Sequence, residues 1–156
     1  MILKTTAKAF SLVELLIVIA IVTIIGTIAT SSFVKYRGNA CLRDASRKIT
    51  GDIYLCKQMA VAEIARYRIL INAGNNNYVI QKETSQNHWA SISTIKNIGG
   101  DDKAVKIIGD PIHTIYFQPR GTTTGGTLEL QHEKYLSKVK IVTSLMGRVR
   151  VEYDLK

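Results

Sequence analysis

From Phe10 to Ile28 the chain reads FSLVELLIVIAIVTIIGTI, 19 positions with a single charge, Glu14. A helix needs about 20 apolar residues to span a bilayer core, so this segment is long enough to cross. A secretory signal has an apolar core of about 7–15 residues. Leu15–Ile28 holds 14 residues without a charge, so length leaves both readings open. Burial inside a protein core is the weakest alternative. Residues 35–156 would have to enclose a helix that is hydrophobic all round.

After this run the pattern becomes amphipathic. Leu42, Ala45, Ile49, Ile53, Cys56, Ala60 and Ile64 recur at spacings of three and four, one apolar stripe on a helix from Arg37 to about Ala65. The other side carries Arg43, Arg47, Lys48, Asp52 and Lys57. No proline interrupts residues 10–65, although Gly26, Gly38 and Gly51 weaken the helix locally. The pattern predicts one long helix.

Beyond Ala65 the period changes to two. Tyr67–Ile71 and Tyr78–Gln81 flank Ala73-Gly74-Asn75-Asn76-Asn77, which predicts a hairpin. Lys106–Ile108, His113–Gln118, Thr127–Gln131, Lys138–Thr143 and Arg148–Tyr153 are further strand candidates. Residues 84–112 are mixed, and no long internal repeat is present. The fold class expected is α+β: a long N-terminal helix, its first half membrane-embedded, packed on a C-terminal antiparallel β-sheet domain. The divisions are residues 10–34 for the transmembrane or assembly helix, 35–65 for its amphipathic continuation and 66–156 for the β-rich domain.

The chain has 156 residues, a net charge of +9 and only two prolines, which excludes disordered and collagen-like classes. The basic excess lies in residues 35–72 and 113–156. Lysines and arginines flank the apolar run on both sides, so the positive-inside tendency gives no orientation. Cys41 and Cys56 stand 15 residues apart, about 22 Å along one helix, too far for a disulfide. His88, His113 and His132 have no metal-ligand spacing and read as ordinary surface or loop residues. No phosphate-binding glycine loop or nucleophile elbow appears. No enzyme activity, metal or cofactor is expected.

Glu14 is the oddity. A carboxylate inside a spanning helix costs a few kcal/mol, unless it sits shallow or meets a cation. No Lys, Arg or His occurs between residues 9 and 34, so a cation must come from a chain terminus or another molecule. Here the residues Lys8-Ala9-Phe10-Ser11-Leu12-Val13-Glu14 resemble the class III signal of type IV prepilins and type II secretion pseudopilins. The resemblance implies a leader of residues 1–9, removed by a prepilin peptidase between Ala9 and Phe10. It implies methylation of the new Phe10 terminus, and neutralisation of a neighbouring subunit's Phe10 ammonium by Glu14. Two positions depart from the pattern: Ala9 stands where glycine is usual, and Ser31 where major pilins carry proline.

The C-terminal half adds Phe117-Gln118-Pro119-Arg120-Gly121, Gly126-Thr127-Leu128-Glu129-Leu130, Val139–Ser144 and Gly147-Arg148-Val149-Arg150-Val151. In this order they resemble the H-type pseudopilins and FimT-like minor pilins. Arg148 and Arg150 project to one strand face, a guanidinium fork suited to phosphates. Lys138 and Lys140 repeat that spacing on the preceding strand, and Arg120 adds from the turn. Equally, alternating charge is the ordinary solvated face of a sheet, and Glu152 and Asp154 continue it as possible partners. Few aromatics and no evident stacking platform argue against base reading. The resemblance implies a DNA-binding role for Gly147, Arg148 and Arg150.

Together these features imply a minor type IV pilin at or near a filament tip, supporting pilus assembly and DNA uptake. The alternative is a minor pseudopilin of a type II secretion system, acting in pseudopilus assembly and protein export. Implied partners are the prepilin peptidase, other pilins, the bacterial inner membrane and double-stranded DNA. The implied location is a single pass in that membrane with a periplasmic C-terminal domain, then the filament.

Overall fold

The computed structural model describes residues 11–99, 104–110 and 112–156, with the side chains of 28–32 left aside. A single helix, α1, runs from Leu12 to Ala62 and continues without a break through Gly26, Ser31, Gly38 and Gly51. The chain divides into two compact units, one ending at Tyr36 and one from Arg37 to Lys156.

In the first unit the helix is exposed on every side. Leu12, Val13, Leu15 to Ile19, Ile21, Val22, Ile24 and Ile25 are 47% to 79% accessible. Among the described residues no helix is long and apolar enough to cross a membrane. The sequence run from Phe10 to Ile28 begins outside the described residues and ends where side chains are left aside.

The second unit packs its strands on one side of the amphipathic half of α1, leaving Arg43, Asp44, Arg47 and Lys48 exposed on the other. Its strands are β1 (Tyr67–Asn72), β2 (Asn77–Ser85), β3 (His88–Ser91), β4 (Lys96–Asn97), β5 (Val105–Ile108), β6 (Ile112–Phe117), β7 (Gly126–His132), β8 (Lys138–Thr143) and β9 (Val149–Asp154). They form two sheets. One has the order β3-β2-β1-β6, with β4 also pairing to β2; the other has the order β5-β7-β8-β9. All pairings are antiparallel. The mixed stretch 84–112 thus supplies β3 and β4 besides β5, which extends the expected Lys106–Ile108 by one residue.

Alternation selects the inner faces. Tyr67, Ile69 and Ile71 of β1, Tyr78 and Ile80 of β2, and Ile115 and Phe117 of β6 are buried. So are Leu128 and Leu130 of β7 and Val139 and Ile141 of β8. They join Leu42, Ala45, Ile49, Ile53, Cys56 and Ala60 of α1 in one core cluster. Ile64 departs from the expected stripe and is 80% exposed. The helix stops at Ala62, and Ile64 takes a left-handed conformation (φ 49°) while the Ala65 amide donates back to the Ala60 carbonyl. That is the usual helix-terminating geometry, so the helical period no longer applies there.

Polar clamps join helix to sheet. The Tyr78 hydroxyl donates to Asp52 Oδ2 at 2.6 Å, and Lys96 Nζ lies 2.8 Å from both Asp52 oxygens. Burial, with the Asp52 bond second, holds the Tyr78 hydroxyl well above its ordinary range. Burial likewise pushes the Cys56 thiol up to about 12, so it is a core side chain without thiolate reactivity. Among the described residues neither cysteine forms a disulfide. His132 corrects the surface reading: it is buried, 4.8 Å from the Tyr135 ring, and its Nδ1 accepts from the Lys134 amide. His113 is half-buried rather than at the surface.

Asn76 links the two sheets. Its backbone is left-handed (φ 52°), as asparagine tolerates in a turn. Its Nδ2 donates to the carbonyls of Ile98 (3.1 Å) and Val105 (2.7 Å), and its Oδ1 accepts from the Ile107 amide (3.0 Å). One amide side chain therefore satisfies three backbone groups beside β4 and along β5. Asn76→Ala is expected to destabilise the 37–156 unit by about 2–4 kcal/mol, because those groups lose partners together. Urea unfolding checks it. A loss below about 0.5 kcal/mol would mean that water replaces Asn76 without cost.

Candidate functional site

Ala9 and Phe10 lie outside the described residues. Glu14 is exposed in the first turn of α1, the end of a helix where a carboxylate is favoured by the unpaired amides and dipole. Around it, every described neighbour from Leu12 to Ala20 is uncharged. The segment therefore presents one anion at the start of an apolar cylinder.

The second candidate region lies where α1 ends. Ser144–Gly147 is a tight turn, closed by the Gly147 amide on the Ser144 carbonyl at 2.8 Å. The Ser144 amide donates to Arg148 O at 2.9 Å, and the Arg148 amide donates to Ser144 Oγ at 3.2 Å. Gly147 takes a left-handed φ of 69°, as the residue closing a three-residue hairpin loop commonly does. It also has no room for a side chain. A Cβ there would lie 2.7 Å from the Gly121 carbonyl oxygen and 2.9 Å from Lys57 Nζ.

Three segments are stitched together at that point. Lys57 of α1 donates to the carbonyls of Met146 (3.3 Å) and Gly147 (3.1 Å). Thr123 of the β6–β7 loop donates its hydroxyl to Ser144 O at 2.8 Å and its amide to Leu145 O at 2.9 Å. Arg120 precedes Gly121 in the same loop and is exposed, as is Arg148. Leu145 and Met146 stand at the turn's tip, 67% and 83% exposed. The sequence placed Lys57 on the polar side of the helix. Its position one residue after Cys56 and three before Ala60 puts it at the edge of the stripe, which was the available signal.

The remaining predicted residues are not assembled into one cationic array. Lys140 pairs with Glu129 at 3.1 Å, and Arg150 with Glu152 at 3.5 Å. In the ladder Lys140 faces Glu152, and Lys138 faces Asp154. Across the outer face of the second sheet the sign alternates, from Glu129 to Lys140 to Glu152. Exposed pairs of this kind contribute about 0–1 kcal/mol, but they neutralise the surface. Arg120 and Arg148 form no ion pair among the described residues, and Lys57 holds the carbonyls of the turn that Arg148 follows.

Aromatic surface is gathered elsewhere. Trp89 of β3 meets Tyr116 of β6 with ring centroids 5.6 Å apart and planes at 62°. Sequence separation hid this pair, and only the strand order β3-β2-β1-β6 brings it together. Among the described residues, no group of three or more His, Cys, Asp or Glu side chains is placed to hold a metal ion.

Replacing Lys57 by Met is expected to cost the 37–156 unit about 1–3 kcal/mol, since two carbonyls lose a charged donor. Hydrogen exchange should rise at the Gly147 and Arg148 amides. Gly147→Ala should cost a similar amount through its left-handed backbone and crowding. Unchanged urea midpoints in both variants would show that the turn is held without them.

Residues 4–30 match the family model described as the prokaryotic N-terminal methylation motif. Comparison with curated protein sequences finds no match. Among solved structures, the fold is similar to the minor pseudopilin EpsH from the type 2 secretion system of Vibrio cholerae. The TM-score is 0.61 at 11% identity, over 72% of this chain and 96% of that one. It is also similar to the type IV minor pilin FimU of Pseudomonas aeruginosa. There the TM-score is 0.59 at 15% identity, over 74% of this chain and 90% of that one. The chain thus joins a prokaryotic N-terminal methylation motif to a pilin-like fold.

Proposed function

We propose that this protein is a minor type IV pilin: a non-enzymatic, membrane-anchored subunit that enters a filament at or near its tip. The observation that carries this reading is the exposed apolar start of α1 with Glu14 as its lone charge, inside the methylation motif and attached to a pilin-like fold. In the proposed sequence of events a prepilin peptidase cuts between Ala9 and Phe10 and methylates Phe10. The helix holds the protein in the bacterial inner membrane as a single pass, with the globular unit in the periplasm. On assembly Glu14 meets the Phe10 ammonium of a neighbouring subunit. An isolated carboxylate is costly among apolar side chains, and a paired one is less so. Glu14 therefore favours the register in which it finds a cation.

Double-stranded DNA is proposed as a second partner, at the Ser144–Arg148 turn. The specific observation favouring it is the pinned turn itself: Lys57 holds the Met146 and Gly147 carbonyls, exposed Arg148 follows directly, and exposed Arg120 stands in the loop that Thr123 bonds to the same turn. Lys138 and Lys140 take a smaller part, because carboxylates face both across the ladder. Binding would be directed at the phosphate backbone and would weaken steeply with salt.

Mass spectrometry of the membrane-extracted protein should find a terminus at methylated Phe10. A terminus near residue 30 would instead mean an ordinary secretory signal. Glu14→Gln should leave the protein in the membrane and deplete it from filaments. For DNA, the soluble portion from about Lys35 is titrated with duplex at several salt concentrations beside an Arg148→Ala/Arg150→Ala variant. Loss of salt-sensitive binding in the folded variant supports the DNA role. Equal binding by both proteins would reduce it to net charge. No binding near physiological salt would favour the secretion pseudopilin reading.

A further inference from the structure

The outer face of the β3-β2-β1-β6 sheet carries a cluster that the assembly reading does not use. Trp89 lies across the sheet toward β1 and β6. The Arg68 guanidinium is 4.3 Å from the centre of its ring, and Tyr116 meets it edge-on at 5.6 Å. Arg68 is positioned rather than loose: its Nε donates to Gln81 Oε1 at 2.7 Å, and Gln81 Nε2 donates in turn to Ser91 Oγ at 3.2 Å. These side chains are spread over β1, β2, β3 and β6, and register fixes their approach. Arg68 is opposite both Gln81 and Tyr116 in the ladders, and Trp89 is opposite Glu83.

The compensation of charge differs within the cluster. Arg66 is paired with Glu83 at 3.2 Å. Arg68 has no carboxylate partner among the described residues, and its terminal N–H donors have no acceptor among them. A guanidinium stacked on an indole keeps its in-plane donors available for a planar or phosphate anion. Trp89 and Tyr116 remain half-buried, each with some surface open to solvent.

We propose that this face is a binding site for single-stranded nucleic acid, in which an unpaired base stacks against Trp89 and Tyr116 while Arg68 holds the adjoining phosphate. A ligand with both a π-face and an anion satisfies the two features at once. The bases of a duplex have their faces covered by the helical stack, whereas those of a single strand are free to stack on aromatic side chains. A neutral sugar would use the indole face and leave the Arg68 charge unanswered. The site is separate from the Ser144–Arg148 turn in residues and in sheet, and does not rest on the duplex-binding reading.

Trp89 is the only tryptophan in the chain, so intrinsic fluorescence reports on this site alone. The full chain in detergent micelles, carrying Arg148→Ala and Arg150→Ala, is titrated with a single-stranded oligothymidylate. The same titration is run with a duplex of equal length and with heparin. The expected result is saturable quenching by the oligothymidylate and little by the other two. Arg68→Gln should abolish most of it with an unchanged circular dichroism spectrum. Trp89→Ala, followed by anisotropy of a labelled oligothymidylate, should weaken binding about tenfold, and Trp89→Phe should weaken it less. If Trp89→Ala does not fold, Arg68→Gln decides. Equal quenching by duplex or heparin would overturn the proposal as charge attraction. Quenching by heparin alone would overturn it in favour of an acidic glycan, and absence of saturable quenching would overturn it outright.

Discussion

Everything in the globular unit depends on burying one stripe of α1. Leu42, Ile49 and Ile53 are almost completely inaccessible, and they share a cluster with the inner faces of both sheets. Full burial of such a side chain is worth about 1.5–3 kcal/mol. Neither sheet could recover that alone, because an antiparallel sheet with one apolar face needs a second layer. The helix supplies that layer for both. The same constraint explains the close contacts around it. Gly38 is buried, and a Cβ there would lie 2.7 Å from the Tyr135 ring. A glycine that weakens the helix locally thus permits its approach to the β7–β8 loop.

The stripe was legible because helical period depends only on neighbours three and four residues away. Leu42 through Ala60 fall where the pattern puts them. The strands β1, β2, β7, β8 and β9 were legible from alternation to within a few residues. Their division into two sheets was not, because it depends on contacts far apart in sequence. Asn76 shows the reason. It reads as one asparagine in a polar turn, yet its side chain satisfies backbone groups at Ile98, Val105 and Ile107. Ile64 was misplaced because a period cannot announce where a helix stops. His132 was misread because burial of a polar ring depends on Tyr135 and on the Lys134 amide, which only the folded loop brings to it.

The candidate sites divide in the same way. Glu14 was visible in the sequence as an anomaly, since one charge in an apolar run needs no structure to be noticed. Arg148 and Arg150 were visible as a pattern, but the pattern could not say which charges were already answered. Glu152 meets Arg150, and Glu129 meets Lys140. The contacts of Lys57 and Trp89 were invisible for a different reason: their neighbours come from other segments. Lys57 works through two backbone carbonyls, which leave no trace in residue identity.

Gly147 carries the final point about how motifs should be read. Its left-handed backbone and its contact with Gly121 and Lys57 require glycine whether or not the turn binds anything. The first letter of Gly-Arg-Val-Arg is therefore accounted for by packing, and it adds nothing to the case for a ligand. The arginines differ between themselves as well. Arg150 has a carboxylate two residues away on its own strand face, while Arg148 follows directly from the pinned turn. A motif of four letters thus resolves into one packing requirement, one spacer and two cations of unequal availability. The argument for binding must rest on uncompensated charge held in fixed geometry. By that measure Arg148 and Arg68 rank above residues that share their spacing or their sequence context.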